Sequence, residues 1–391
     1  MNSAFERRPI LNVQNKSTAE HVHRMACKLV VCIVYVCLTS VLLVLSLYLF
    51  TDNFSKRYIK ISATTTTTTT ATKSSLNLVD VAKMFDSSNA KIDFPCPLLR
   101  LDPRRPIFPI CTYTDSDLLS FTILRGGYLE STAVRRIVEV LEGANDDDDD
   151  GGRPTADFFV DLGANLGLYT LAVAHAGGRV IAVEANSATV RRLARSILVG
   201  DVGGRVTLLN NAISNRSGVE VRLGARRGNA ADTYVTRGNR PCVIAAAASA
   251  VVGDGGGGGV PSDDELCLDT ARTITLDDLL PLIATTSGSI RRRALIKADI
   301  QGSELLAFDE RSSSRFFAAV DVPLIQMEWS LLNSDYDISK YVDVVGSPAE
   351  VERFVGFVRT MNYSFFDLAT SKELGKDWRK WPSDILLLKK S

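Results

Sequence analysis

The sequence predicts an α/β domain with a mostly parallel sheet, and three observations support this fold class. Short apolar runs alternate with segments of helical pattern from residue 158 to residue 368. The first run ends in a glycine-rich turn, DLGANLG, at 161–167. The last two runs, 363–368 and 383–389, have no long helical segment between them. Alternating strands and helices build a parallel sheet covered on both faces, and a strand pair without a crossover helix implies one antiparallel strand.

Each predicted element has a local signal. The apolar run at 158–162 suits a buried strand, and Gly177-Gly178 ends the helix after it, because glycine adopts the left-handed conformation common at helix ends. Ser187 is a favourable cap for the next helix. The predicted strands are 158–162, 179–184, 205–210, 294–298, 323–328, 363–368 and 383–389, with a hairpin arm at 218–223. Two predicted helices span 187–199 and 348–361. Another ends at 176, and two more begin at 275 and at 303.

An uncharged segment of 22 residues at 29–50 predicts one transmembrane signal-anchor helix, because about 20 helical residues cross a bilayer core. Arg7 and Arg8 tilt the flanking positive charge slightly towards a cytoplasmic N-terminus. Glycosylation sequons at Asn215 and Asn362 suit a lumenal domain. A single-pass type II membrane protein of the Golgi or endoplasmic reticulum is therefore expected.

Composition divides the rest of the chain. Seven consecutive threonines lie in a Ser/Thr-rich stretch that is typical of an O-glycosylated stalk. Runs of Asp and of Gly indicate solvated insertions. The predicted divisions are a tail at 1–28, the membrane helix at 29–50, a stalk and linker at 51–93, and a domain at 94–391 with insertions at 143–153 and 224–269.

Charge, histidine and cysteine content narrow the function. Lys plus Arg equals Asp plus Glu, at 45 each, so no basic surplus indicates a nucleic-acid partner. His175 is the one histidine of the globular part, which disfavours a Ser-His-Asp hydrolase or a multi-histidine metal site. No cysteine pair there has zinc-type C-x-x-C spacing, so no metal is expected. Two lumenal disulfides are compatible with the four remaining cysteines. The nearest-neighbour pairs are Cys96 with Cys111 and Cys242 with Cys267.

The turn DLGANLG carries the residues that indicate a cofactor. Ligands of open α/β sheets lie beyond the carboxyl ends of the strands, and Gly163 and Gly167 let the backbone approach a ligand without a Cβ clash. Glu184 ends the next strand at the spacing where a carboxylate accepts both ribose hydroxyls of an adenosine. Asp161 before the glycines would repel a pyrophosphate but would suit the sulfonium and ammonium of S-adenosylmethionine. S-adenosylmethionine is therefore the predicted cofactor.

Six segments in this order resemble the FkbM-type methyltransferases: DFFVDLGANLGLYTLAVA, RVIAVEAN, VTLLNNAIS, TITLDDLL, LIKADIQGSELLAF and PLIQMEWS. The segment FPICTYTDSDLLSFTILRGGYLES is similar to the lead-in of eukaryotic members. The resemblance extends from Phe94 or Tyr128 to Lys389. It implies a Rossmann-like class I methyltransferase fold with seven strands in the order 3-2-1-4-5-7-6, and O-methylation of hydroxyls, often on sugars or polyketides.

The resemblance also implies roles for individual residues. Glu184 would bind the ribose, and Asn211-Ala212 would lie beside the adenine. Tyr128 and Glu130 of the lead-in would close over the cofactor. The residues implied around its methionine part are Asp161, Gly163, Asn165 and Gly167. The residues that match the signature after the fourth strand are Lys297, Asp299, Gly302 and Glu304.

Carboxylates at strand ends are the candidate general bases for methyl transfer. The candidates are Asp299, Glu304 and Glu328, with Asp299 first because it lies across the switch point from the glycine turn. Each of them could instead cap a helix or pair with Lys297. For Glu304 we give this structural role the same weight as catalysis. Position 301 is Gln where the family usually has Glu. If the family's carboxylate binds a metal or acts as a base, that role is lost here. If it only caps the following helix, Gln can replace it with little effect, and we favour this second interpretation.

Three functions follow, in order of support. The first is an S-adenosylmethionine-dependent O-methyltransferase acting on a hydroxyl of a glycan or glycoconjugate. The second is a type II membrane glycosyltransferase, which shares the anchor and stalk; its acidic D-x-D motif is matched by residues 115–117, but these precede the core. The third is a non-catalytic cofactor-binding module, which Gln301 keeps open.

Overall fold

The structure is a computed structural model, and its described residues lie in one compact unit, Lys73–Ser391. The predicted membrane helix and most of the predicted stalk fall outside the described residues. No helix within the described ranges is both long and apolar enough to cross a membrane. The described ranges are 75–85, 94–103, 105–114, 117–126, 131–143, 156–225, 233–236, 243–244, 266–283, 292–330 and 347–390.

A seven-stranded mixed sheet forms the centre of this unit. Its strands in chain order are β1 Phe158–Leu162, β2 Val180–Glu184, β3 Val206–Asn210, β4 Arg292–Ala298, β5 Val320–Glu328, β6 Tyr363–Asp367 and β7 Asp384–Lys389. Across the sheet the order is β3-β2-β1-β4-β5-β7-β6, which is the order that the family resemblance implies. Strand β7 is antiparallel to both of its neighbours, and the other pairs are parallel. The carboxyl ends of β1 to β5 therefore share one edge.

Helices cover both faces of the sheet, as the strand–helix alternation predicts. Successive strand residues point to opposite faces, so Val160 joins one apolar cluster and Phe159 the other. The helices are α1 Val81–Met84, α2 Leu118–Leu124, α3 Ser131–Leu141, α4 Leu168–His175, α5 Ser187–Val199, α6 Leu280–Ile283, α7 Glu304–Ala307, α8 Glu310–Ala319 and α9 Pro348–Thr360, with 3-10 turns at Asp277–Leu279 and Trp378–Lys380. Helices α3 to α5 cover the Phe159 face, and α8 and α9 cover the opposite face.

One local prediction needs correction, and another gains detail. The cap of α5 is Asn186, whose side chain accepts the Ala188 N–H at 2.9 Å, and Ser187 is the first helical residue. The segment 224–269, predicted as an insertion, contributes strands to a second sheet, which we call the arm. The residues of these strands are partly β-branched or aromatic, a composition that suits a pleated strand. The arm strands are Ala212–Ile213, Glu220–Ala225, Thr233–Thr236, Val243–Ile244 and Leu266–Ile274.

The segment before the sheet is covalently closed. Cys96 and Cys111 form a disulfide, which confirms one of the two predicted pairs. It closes a small antiparallel ladder of Leu98–Leu99 with Phe108–Pro109. Cys242, which belongs to the other predicted pair, lies outside the described residues.

Candidate active site

The two glycines of the turn after β1 are required by the protein's own packing. Gly163 has φ +77°, and a Cβ on it would lie 1.8 Å from the carbonyl oxygen of Asp299. Gly167 has φ +93°, and its Cβ would lie 2.3 Å from Leu193 Cδ1 on α5. A left-handed backbone conformation also favours glycine at both positions. At these two Cα atoms, the residue after β4 and a side chain of α5 already make a close approach, and Gly163 also lines the cavity described below.

Asp161 is completely buried and does not line the cavity described below. Its Oδ2 accepts a hydrogen bond from Thr170 Oγ1 at 2.6 Å, and its Oδ1 lies 3.8 Å from the Lys297 ammonium. Burial raises the pKa of Asp161, and the Lys297 charge opposes this shift. A cation of the protein itself therefore stands beside Asp161, because β4 pairs Lys297 with it in register. A contact between Asp161 and the sulfonium of a cofactor stays a prediction.

Lys297 links the turn to the end of β4. Its ammonium donates to the Gly163 carbonyl oxygen at 2.9 Å and lies 3.3 Å from Asp299 Oδ2. It also lies 5.2 Å from the centre of the Tyr169 ring. One buried cation therefore holds the glycine turn, Asp161 and Asp299 in fixed relation.

Glu184 is fixed at the end of β2 by two backbone donors. The Asn165 N–H donates to Oε2 at 2.9 Å, and the Asn186 N–H donates to Oε1 at 2.8 Å. Burial raises the pKa of Glu184, and these two hydrogen bonds oppose the shift. A carboxylate oxygen has two lone-pair directions, so each oxygen keeps capacity to accept from a ligand hydroxyl. Asn165, at φ 51°, turns its own side chain onto the Leu166 N–H.

Asn211 follows β3 and lines the cavity, but its side chain is committed to the protein. Its Oδ1 accepts from the Asn77 N–H at 2.8 Å. Its Nδ2 donates to the carbonyl oxygens of Ser75 and Arg272 at 3.1 and 2.8 Å. The amide thus ties an N-terminal segment and the arm to the end of β3, a tertiary role that the sequence does not reveal.

Gln301 connects two carboxyl groups at the ends of neighbouring strands. Its Nε2 lies 3.0 Å from Asp299 Oδ1 and 3.1 Å from Glu328 Oε2. Ser330 Oγ donates to the other Glu328 oxygen at 2.6 Å. The helix-terminus interpretation of Gln301 is therefore wrong in detail, because its amide serves as a donor to Asp299 and Glu328. Gln301 has φ 50°, and Gly302, at φ 85°, continues the same tight turn.

The carboxyl groups of Asp299 and Glu328 have opposite pKa shifts. Burial raises the pKa of Asp299, but the Lys297 ammonium and the hydrogen bonds from its neighbours outweigh burial and hold it below its ordinary value. Burial, and then the nearby Asp299 carboxylate, raise the pKa of Glu328 well above its ordinary value. Like charges at one site push pKa values apart in this way. Of this pair, Asp299 is thus the carboxyl group with the lowered pKa and Glu328 the one with the raised pKa.

Gln301→Glu is expected to make stability fall as pH rises. The new carboxyl group would stand beside those of Asp299 and Glu328, so its pKa in the folded protein is expected to lie above the ordinary pKa of Glu. The folded protein then favours the protonated carboxyl group, and this contribution to stability is lost as the pH rises from the ordinary pKa towards the raised one. We expect the variant to lose about 1–3 kcal/mol of unfolding free energy between pH 5 and pH 8, relative to the wild type. Urea unfolding at both pH values measures this loss. Gln301→Ala adds no charge, and an equal pH dependence in that control would contradict the explanation.

Glu304, a predicted base, is buried and does not line the cavity. Its Oε1 accepts the Ile300 N–H at 2.8 Å, so the side chain closes the loop that follows β4. Burial raises the pKa of Glu304 to about 7. The helix-terminus alternative weighed for Glu304 is therefore the one that this geometry favours.

The predicted residues meet at a cavity beyond the carboxyl ends of β1 to β4. The space within it, including the part open to solvent, is about 590 Å³. The predicted residues that line it are Gly163, Asn165, Glu184, Asn211, Ala212 and Asp299. Five lining residues that the sequence did not predict come from the arm: Ile213, Leu223, Thr233, Tyr234 and Val235. For the last three, the available signal was the β-branched and aromatic run Thr233–Thr236.

Other candidates fall elsewhere. Tyr128 and Glu130 lie outside the described residues. His175 stacks on Phe108 with ring centres 5.4 Å apart, and burial lowers its pKa. Asp117 caps α2 by accepting the Ser120 N–H at 2.7 Å, which gives the last residue of the D-x-D sequence a structural role. Within the described residues, no three acidic, His or Cys side chains are grouped as metal ligands.

Comparison with known proteins identifies a family. A model of the family described as Methyltransferase FkbM domain matches residues 161–365, more than half of the chain. No curated protein sequence matches significantly.

Several solved structures are similar at a distance. WbdD in complex with the kinase inhibitor LY294002 is 12% identical, with a TM-score of 0.34; the alignment covers 68% of this chain and 42% of that one, so this chain spans less than half of its length. A putative caffeoyl-CoA O-methyltransferase from Staphylococcus aureus is 10% identical over 71% of this chain and 93% of that one, with a TM-score of 0.34. An O-methyltransferase from Bacillus cereus, in complex with SAH, is 12% identical over 70% and 98%, with a TM-score of 0.27. These similarities are too distant to assign a substrate.

Proposed function

Because the chain belongs to the FkbM methyltransferase family and uses S-adenosylmethionine, we propose that it methylates a hydroxyl group of a glycan or glycoconjugate. The observation that carries the proposal is Asp299, an ionised carboxylate on the cavity wall whose charge Lys297 stabilises. S-adenosylmethionine supplies a methyl group on a sulfonium. Asp299 accepts the hydroxyl proton as the oxygen–methyl bond forms and the sulfur–methyl bond breaks. Alignment of the two reactants supplies about 7–11 kcal/mol in well-oriented reactions.

The residues of the cavity fit the cofactor. Glu184 has acceptor capacity for ribose hydroxyls, and Asp299 provides negative charge where a sulfonium needs it. The carbohydrate acceptor is supported by the predicted anchor and stalk, which are typical of enzymes that modify glycans. The same layout supports the glycosyltransferase alternative, but Asp117 is engaged in capping α2.

Transfer of a labelled methyl group tests the function. The full-length chain in detergent is incubated with methyl-labelled S-adenosylmethionine and separate pools of N-glycans, O-glycans, glycolipids, small phenols and RNA. Label in a glycan pool, resistant to hydrolysis as a methyl ether, is the expected result. Label in another pool alone would refute the carbohydrate acceptor. Cofactor binding without transfer to any pool would favour the non-catalytic alternative.

Glu184→Gln is expected to weaken S-adenosylhomocysteine binding about 100-fold. An amide would turn a donor towards the N–H of Asn165 or Asn186 and would lose acceptor capacity for the ribose. A loss of about 3 kcal/mol corresponds to this factor. Calorimetry measures it, and the product is a suitable probe because its sulfur carries no charge. Glu220→Gln, an exposed change on the arm, is the matched control; a change of less than fivefold in Glu184→Gln would contradict the ribose role.

We also propose a type II orientation with the catalytic domain in the lumen of the Golgi or endoplasmic reticulum. Glycans at the sequons would support it, since only lumenal sequons are modified. Asn362 is exposed, and Asn215 lines a groove beside α9. Mass spectrometry of both asparagines after expression in animal cells is the test. Unmodified peptides at both sites would count against a lumenal domain.

A further inference from the structure

The cavity has two chemically different ends. Carboxyl and amide groups of Asp299 and Gln301 form one end, and Glu184 lies on the wall. Apolar side chains of the arm form the other end: Ile213 comes just after β3, and Leu223 lies on the next arm strand. Strands β2 and β1 separate β3 from β4, the strand that Asp299 and Gln301 follow. An adenosine joined to an amino acid has the same asymmetry, with a flat base at one end and charged groups at the other. The base therefore belongs at the end that the arm builds.

The arm is attached to the loop that positions Glu184. Asn186 Nδ2 donates to Thr233 Oγ1 at 3.1 Å, while the Asn186 N–H donates to Glu184. The Ser187 N–H donates to Asp269 Oδ2 on another arm strand at 3.1 Å. A small apolar cluster of Ala212, Leu223 and Ala271 packs beneath, with Ala185 beside it. The arm wall and the Glu184 carboxylate are thus held in fixed register.

Tyr234 is the aromatic residue of this wall. It lies on the strand Thr233–Thr236, is half-buried and packs against the core cluster that includes Ile213. Its cross-strand partner is Gly224, so no side chain stands opposite Tyr234 at that pair. An aromatic ring next to an apolar wall is the usual platform for a nucleobase, because every base has a π-face.

We propose that Tyr234 is an adenine-binding residue, supplied by the arm, which packs against the base of the cofactor. The inference rests on the proposed function, since it requires an adenosine-containing cofactor in this cavity. Tyr234 sets the position of the base, and Glu184 sets the position of the ribose. The carboxyl end of the cavity then receives the amino-acid part.

Two ligands separate the two ends in binding measurements on the full-length chain. S-adenosylhomocysteine occupies both ends, and 5′-methylthioadenosine has only the nucleoside part. Tyr234→Ala is expected to weaken both ligands by the same factor, about fivefold or more. Tyr234→Phe keeps the ring and should bind both as the wild type does. Tyr234→Leu removes the ring but keeps an apolar side chain at this position, so the fold is better preserved than in Tyr234→Ala. Thermal unfolding checks that each variant is folded.

Thr236→Ala is the matched control. Thr236 lies on the same strand, donates to the Arg222 carbonyl oxygen at 3.3 Å and does not line the cavity. Unchanged affinity in folded Tyr234→Ala and Tyr234→Leu would overturn the inference. Weaker S-adenosylhomocysteine binding with unchanged 5′-methylthioadenosine binding would also overturn it, because Tyr234 would then act at the amino-acid end. A wild type that binds neither ligand would overturn the proposed function itself.

Discussion

Lys297→Met is expected to destabilise the folded protein by about 3–5 kcal/mol, because removing one partner of a buried ion pair leaves an uncompensated charge. Asp161 is fully buried, and it would keep the hydrogen bond from Thr170 but lose the cation 3.8 Å away. The Gly163 carbonyl oxygen would lose its 2.9 Å hydrogen bond as well. Urea unfolding measures the change, and binding of S-adenosylhomocysteine should weaken with it.

Two further variants test this explanation. Lys389→Met removes a more exposed lysine that pairs with Asp321 at 3.0 Å, and it should cost no more than about 1 kcal/mol. The double variant Lys297→Met, Asp161→Asn should recover part of the lost stability, because it removes the orphaned charge. A loss in Lys297→Met no larger than that in Lys389→Met would show that the buried cation does not hold the site together.

Asp299→Asn is expected to slow methyl transfer about 100-fold or more, the usual contribution of a positioned general base. Asparagine has nearly the same shape but does not accept the hydroxyl proton. Rates with labelled S-adenosylmethionine and the acceptor found above measure the effect. The rate should fall much more than the affinity for S-adenosylhomocysteine, because proton transfer belongs to the chemical step.

The pH profile supplies an independent check. The pKa of Asp299 is held below its ordinary value, so this base stays ionised, and the wild-type rate should not fall through its protonation between pH 8 and pH 5. Asp321→Asn, at the opposite end of β5 from Glu328, is the matched control and should leave the rate unchanged. A rate in Asp299→Asn within tenfold of the wild type would remove Asp299 as the base.

Local patterns predict most of the sheet. Apolar runs at 158–162 and 179–184 become β1 and β2 because each is short, buried on both faces and bounded by glycine or a cap. The spacing from Gly163 to Glu184 likewise brings the carboxylate to the turn, since parallel neighbouring strands end at the same edge. The hairpin arm predicted at 218–223 corresponds to the arm strand Glu220–Ala225. Its pairing with Leu266–Ile274 was not predicted, because these two strands lie far apart in the chain.

Side-chain roles were harder to predict than side-chain positions. Asp161, Glu304 and Gln301 each occur in the predicted motif, yet their partners come from other strands or from backbone that only folding brings near. Asp161 faces Lys297, Glu304 holds the Ile300 N–H, and Gln301 donates to two carboxyl groups. A motif records which residues occur together but not which atoms they contact.

The sequence by itself determined the α/β fold class, the glycine turn, the acidic residue of β2 and the family, because these depend on local periodicity and short spacing. The tertiary structure alone decided which carboxylate is buried behind the turn, which one lines the cavity and which wall the arm contributes. The physical reason is that burial, charge compensation and pKa arise from contacts between distant segments. Asp161 and Asp299 both lie at the ends of predicted strands. Lys297 of β4 is close to both carboxyl groups, but only Asp299 lines the cavity.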